Sequence, residues 1–319
     1  MLVISVRRVT LAGEGATRQT DRPFAPNLQA VRFLFATDGS RGAAIALDFL
    51  GALPLSHADH VVVLTVPTFS FVGAGGVGAR STEHVVEHGE SAARSVAERA
   101  RARLTGRGVP VSVDVVRGPV ADAIEAATLR HAAELVVVGS RGLGGFAGAL
   151  LGSVARALTH HASLPILVVR ERREAPDRII LAVDGSEESG AAVALLARLP
   201  LPSAARITLV RVIGSPTDAD AVARVIDRAQ RALDALSVDR EITTRGHAAE
   251  EILARARECG ADLIVLGSHG QATGGLLRGS LADQVLSQAH CAVLVAKAPV
   301  CSRLVAVRHA EMRPPVLAF

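Results

Sequence analysis

Residues 139–153, GSRGLGGFAGALLGS, begin at the end of the all-apolar run LVVVG and carry glycines at 139, 142, 144, 145, 148 and 152. Glycine inside a helix costs roughly 1 kcal/mol relative to alanine, so six in one stretch imply a backbone that turns tightly or lies against something. A glycine-rich loop between a strand and a helix exposes backbone N–H groups. The helix start adds its own unpaired donors and the positive end of its dipole, which together suit a phosphate. Ser153 stands where its hydroxyl can bind a phosphate oxygen or cap the helix. Asp38, in FLFATDGS, can face a sugar or a divalent ion, and backbone around Val66 can read a base edge. The other reading of such glycines is close packing of a helix on a strand.

The elements that must position these residues repeat. FLFATDGSRGAAIALDFLGALP is answered by IILAVDGSEESGAAVALLARLP, so that Asp184 corresponds to Asp38, and AELVVVGSRG is answered by ADLIVLGSHG. Two copies, joined by the charged link RERREAPDR, make up the body, and such internal repetition fixes the domain count. Within each copy, short apolar runs alternate with longer alanine-rich segments, which predicts parallel strands joined by crossover helices. The first copy is expected to place strands near 31–37, 60–66, 110–116, 134–139 and 165–170, with helices near 41–52, 82–106, 119–131 and 151–162. The second should place strands near 178–183, 206–212, 239–244, 262–267 and 292–296. In an open α/β sheet, ligands bind beyond the carboxyl ends of the strands where strand order reverses. If the first and fourth strands are neighbours, Asp38 and Gly139 face one crevice.

Composition removes several alternatives. The chain has 319 residues, an apolar fraction of 49% and no tryptophan or tyrosine. It lacks an apolar run long enough for a membrane span or a secretory leader, so a cytoplasmic protein without membrane contact is expected. The net charge of +4 resides in the tails, where four arginines stand against two acids in residues 1–30 and four basic residues against one acid in 297–319. A body without excess positive charge or stacking aromatics is not expected to bind nucleic acid. Lys297 is the only lysine, which excludes a Walker A loop or a Schiff-base cofactor in either body. Cys259, Cys291 and Cys301 lack paired spacing. His84 and His88 have the spacing of a helical metal pair but no evident third ligand, and read as a solvated face. His160 and His161 read as helix capping, and His269 has Arg141 at its counterpart. The run GAGGVG at 73–78 reads as an exposed loop.

Glycine, two residues, glycine, nine residues, glycine, then serine is met in full by Gly139, Gly142, Gly152 and Ser153. With ATDGS, AVDGS and LPILVV around it, the chain resembles the universal stress protein family over about residues 31–170 and 178–297. The resemblance implies two tandem, doubly wound α/β domains, each a parallel five-stranded sheet of order 3-2-1-4-5. Residues 1–30 would form an N-terminal extension, 171–177 the linker and 298–319 a C-terminal tail. It also implies a pseudo-dimer through the last strands, leaving room for a homodimer. ATP, with Mg²⁺ or Mn²⁺, would contact Asp38, Val66, Val138, Gly139, Gly142, Gly152, Ser153 and Val154. The counterparts Asp184, Val212, Gly267, Gly270, Gly279 and Ser280 would serve the second copy. There, only eight residues separate Gly270 from Gly279 where the motif has nine. A regulatory, nucleotide-dependent stress-response role fits these motifs, the alternatives being a slow ATP hydrolase or a nucleotide-free scaffold.

Overall fold

The computed structural model describes residues 4–5, 30–67, 79–143, 151–161, 164–171, 174–213, 219–268 and 281–298. A short strand, β1 (Ile4–Ser5), precedes the first copy. That copy runs β2 (Arg32–Ala36), α1 (Arg41–Ala52), β3 (His60–Thr65), α2 (Ala79–Leu104), β4 (Val111–Val115), α3 (Val120–Arg130), β5 (Leu135–Gly139), α4 (Ser153–His161) and β6 (Ile166–Val169). The second runs β7 (Arg178–Ala182), α5 (Glu187–Arg198), β8 (Arg206–Ile213), α6 (Ala219–Ala232), β9 (Ser237–Arg245), α7 (Ala248–Cys259), β10 (Leu263–Gly267), α8 (Leu281–Gln288) and β11 (Ala292–Ala296).

The eleven strands of the described residues form one sheet, in the order β1-β9-β8-β7-β10-β11-β6-β5-β2-β3-β4. Each copy therefore has the order 3-2-1-4-5, parallel throughout. Alternation along the strands divides the core into two layers. Phe33, Phe35, Val61 and Val63 pack with Leu47 and Phe49 of α1 and Ala97 of α2, and Ile179, Leu181 and Leu209 pack with the equivalent α5 and α6. Leu34, Val62 and Val136 face Ile124 of α3 and Leu158 of α4, as Ile180 and Ile264 face Ile252 of α7 and Val285 of α8. Strands covered on both faces explain why runs such as LVVVG show no polar alternation.

The copies join where β11 pairs antiparallel with β6, Leu294 opposite Leu167. Exposed apolar edges invite pairing, and here each last strand covers the other. Reciprocal contacts flank the join. Lys297 Nζ donates to the Thr159 carbonyl in the last turn of α4 at 2.7 Å, while Arg170 donates to the Leu286 carbonyl in the last turn of α8. A cation at a helix C-terminus satisfies a free carbonyl and complements the dipole. Arg198 of α5 also reaches Glu134 of the first copy at 2.6 Å.

Among the described residues, two contacts lie outside the sequence reading. The N-terminal stretch contributes β1, antiparallel to β9 with Ile4 opposite Thr243, so it meets the second copy and not the adjacent first. His160, expected to cap its own helix, lies 3.3 Å from Asp283 of α8, across the join.

Candidate functional site

The crevice forms as the strand order requires. β2 and β5 are direct neighbours, Phe35 opposite Val137, so the chain leaving each strand emerges side by side. Thr37 N–H still donates to the Leu64 carbonyl at 2.9 Å, after which Gly39 turns the chain at φ +77°, a conformation that disfavours a side chain. Ser40 then caps α1, its hydroxyl accepting from Ala43 N–H at 3.2 Å. The result holds Asp38 over the end of β5. Its Oδ1 accepts from Ser40 N–H at 2.9 Å and its Oδ2 from Leu143 N–H at 2.8 Å.

The three motif glycines serve different purposes. A Cβ on Gly139 would lie 2.4 Å from the Gly42 carbonyl carbon and 2.8 Å from the Ala43 nitrogen. Its bareness therefore lets α1 approach β5, which is the packing role. A Cβ on Gly142 would lie 2.5 Å from Asp38 Oδ2, so this position admits the carboxylate itself. Gly152 N–H donates to the Ser140 carbonyl at 2.8 Å, which brings the far end of the loop back beside its start. The Gly152 carbonyl accepts from Arg156 N–H at 3.0 Å, the opening bond of α4. The N–H groups of Ser153, Val154 and Ala155 therefore precede any intrahelical acceptor. Ser153 is exposed, so its hydroxyl is accessible at the helix start. A carboxylate, a loop backbone and a helix N-terminus converge here, which suits an anionic ligand with hydroxyl groups.

Val66 and Val138 can make their expected contacts only through the backbone. Both are buried in the core layer shared with Leu64 and Ala155, and Val154 packs against that layer. In the second copy, Asp184 Oδ1 accepts from Ser186 N–H at 2.9 Å and from its hydroxyl at 2.6 Å. A Cβ on Gly267 would lie 2.7 Å from Glu188 Cβ, repeating the packing role of Gly139. Val212 is half-buried against the same layer as its counterpart. Gly270, Gly279, Ser280, His269 and residues 73–78 lie outside the described residues, as do the side chains of His84 and His161.

Elsewhere, burial pushes the Cys291 thiol up to about 12, which makes it an inert packing group. His88 is exposed. Sequence reasoning missed Thr65 and Arg211, buried polar residues just before Val66 and Val212; the only signal was a polar residue near the carboxyl end of a mainly apolar strand. No described helix is long and apolar enough to cross a membrane.

The sequence profile of the universal stress protein family matches residues 31–170 and again 176–297. A universal stress protein of Mycolicibacterium smegmatis is 28% identical over 270 residues, covering 77% of this chain and 87% of that protein. One from Mycobacterium tuberculosis is 35% identical over 95 residues, which span 28% of this chain and only 29% of its own length. Among solved structures, a universal stress protein from Archaeoglobus fulgidus superposes with a TM-score of 0.65 at 21% identity, covering 84% of this chain and 97% of that one. With a twice-matched profile and the 3-2-1-4-5 sheet in each half, the chain belongs to the universal stress protein family, in its tandem two-domain form.

Proposed function

We propose that the first copy binds ATP with Mg²⁺ or Mn²⁺, and that occupancy regulates association with partners in a cytoplasmic stress response. The observation that carries this reading is the contact between Asp38 and the loop, where Leu143 N–H donates to the carboxylate and Gly142 has no room for a Cβ. Asp38 would hold the ribose or the metal ion, backbone near Val66 and Val138 the base, and loop N–H groups with Ser153 the phosphates. A lysine is not needed, and the only one in the chain, Lys297, is committed to the join between copies. In the second copy the same roles would fall to Asp184, Val212, Gly267, Gly270, Gly279 and Ser280, but its eight-residue spacing keeps them from closing on ATP in the wild type.

The first test is whether heat-denatured, freshly purified protein releases adenine nucleotide. Titration calorimetry then compares the wild type with Gly142→Val and Asp38→Asn. Gly142→Val should weaken ATP at least about 100-fold, because roughly 3 kcal/mol follows from displacing the carboxylate and loop together. Asp38→Asn preserves shape and isolates the charge. Equal affinities for all three proteins would overturn the assignment, and turnover above background would instead favour slow hydrolysis.

A further inference from the structure

Thr65 closes β3, and Arg211 holds the corresponding place in β8, each one residue before the valine that precedes the cleft. Both are buried, with 3% and 8% of their surface exposed. Among the described residues, Thr65 Oγ1 and Arg211 Nε and Nη1 have no hydrogen-bond partner. The two cases differ in consequence. An unpaired hydroxyl loses one neutral hydrogen bond. A guanidinium with two of its nitrogens buried and without acceptors holds its charge in the interior, a penalty that a bound anion would relieve.

The surroundings show where such an anion would enter. Ile207 and Leu209 lie in the core layer beneath α5 and α6, and alternation puts Arg211 on that same face. β7 ends at Ala182, opposite Val210, and Val183 N–H makes the last contact, to the Val210 carbonyl at 2.9 Å. β8 continues to Ile213 alongside β9 alone. Arg211 therefore stands just past the end of β7, at the carboxyl edge of the sheet where ligands of this architecture bind.

We infer that Arg211 anchors an oxyanion site in the second copy, taking a phosphate group, either free or as part of a nucleotide. The planar guanidinium matches a phosphate through paired N–H donors, and a dianion compensates the buried charge fully. The first copy has threonine here and lacks the site. The inference stands on the buried guanidinium and does not depend on ATP binding by the first copy.

The test melts the full chain in phosphate-free buffer, then with inorganic phosphate, acetate, or chloride at matched ionic strength. Phosphate should raise the wild-type midpoint by about 2–4 °C near saturation, and chloride should not. Arg211→Thr, which restores the first copy's residue, and Arg211→Met should both lose that rise while melting no lower than wild type without anion. Counting bound ATP separates the two sources. A count lowered by Arg211→Thr assigns the phosphate to a nucleotide in the second copy, whereas an unchanged count with the phosphate response lost assigns it to free phosphate. An unchanged phosphate response in both variants overturns the site. So does a midpoint several degrees lower in both without anion, since the guanidinium would then be paired within the chain. Stabilisation by acetate alone overturns the choice of phosphate.

Discussion

At the scale of single residues, identical types within one motif take different work from the atoms across from them. Gly139 meets helix backbone and Gly142 meets a carboxylate, although both belong to one motif. The motif itself was legible in the sequence, but this division was not, because spacing along the chain says nothing about which atom lies opposite a missing Cβ. His60 shows the same dependence on surroundings. It begins β3, with Nε2 3.2 Å from Ser112 Oγ, and its pKa is lowered by burial, then by the Arg32 charge and by His131. The unfolded chain thus takes up the proton more readily than the folded one. The stability this group contributes is complete above its ordinary pKa of about 6.5 and is lost as pH falls through the lowered folded value. The urea midpoint should therefore decline on acidification below about pH 6.5, and His60→Gln should flatten part of that decline. An identical acid limb in the two proteins would show that His60 carries none of it.

At the scale of elements, the central strands were legible almost to the residue because each is a short apolar run buried on both faces. The expected 60–66 and 292–296 correspond to β3 at His60–Thr65 and β11 at Ala292–Ala296. Helix α2 begins at Ala79, ahead of the expected 82. β1 was not legible, since two residues become a strand only by meeting β9, a contact distant in sequence. The reciprocal helix caps were hidden for a similar reason. Lys297 looked like an isolated tail residue, and only the antiparallel pairing of β6 and β11 brings it under the end of α4. Burial lowers its pKa, partly opposed by Asp283, so desolvation works against the bond to the Thr159 carbonyl. Removing the side chain leaves that carbonyl without its donor, and the loss should dominate. Lys297→Met is expected to cost about 1 kcal/mol, and Lys297→Arg much less. Denaturant titration measures both, and a Met variant as stable as wild type would show that the cap contributes nothing net.

At the scale of the whole molecule, one continuous sheet repeats the same strand order in both halves, while the sequence makes the residues at the two sets of strand ends unlike in chemistry. The first cleft has the full nine-residue spacing between Gly142 and Gly152 and a threonine at position 65, whereas the second has eight residues between Gly270 and Gly279 and an arginine at position 211. One residue fewer shortens the reach of an extended loop by up to roughly 3.5 Å, more than the length of the hydrogen bonds it must place. The extra glycines Gly274 and Gly275 permit backbone angles that recover some of this reach, and Arg278 can bind phosphate directly. The spacing argument takes precedence because backbone donors must meet the same oxygens at both ends of the loop, which a flexible side chain does not arrange. Equilibrium dialysis with labelled ATP should therefore find close to one site in the full chain. Inserting one glycine between Leu277 and Arg278 should raise the count toward two, and Arg278→Ala should leave the first site unchanged. Two equivalent sites in the wild type would show that the shorter loop closes on nucleotide unaided; one site that stays one after insertion would mean that Arg211 and its surroundings, not loop length, decide what the second cleft accepts.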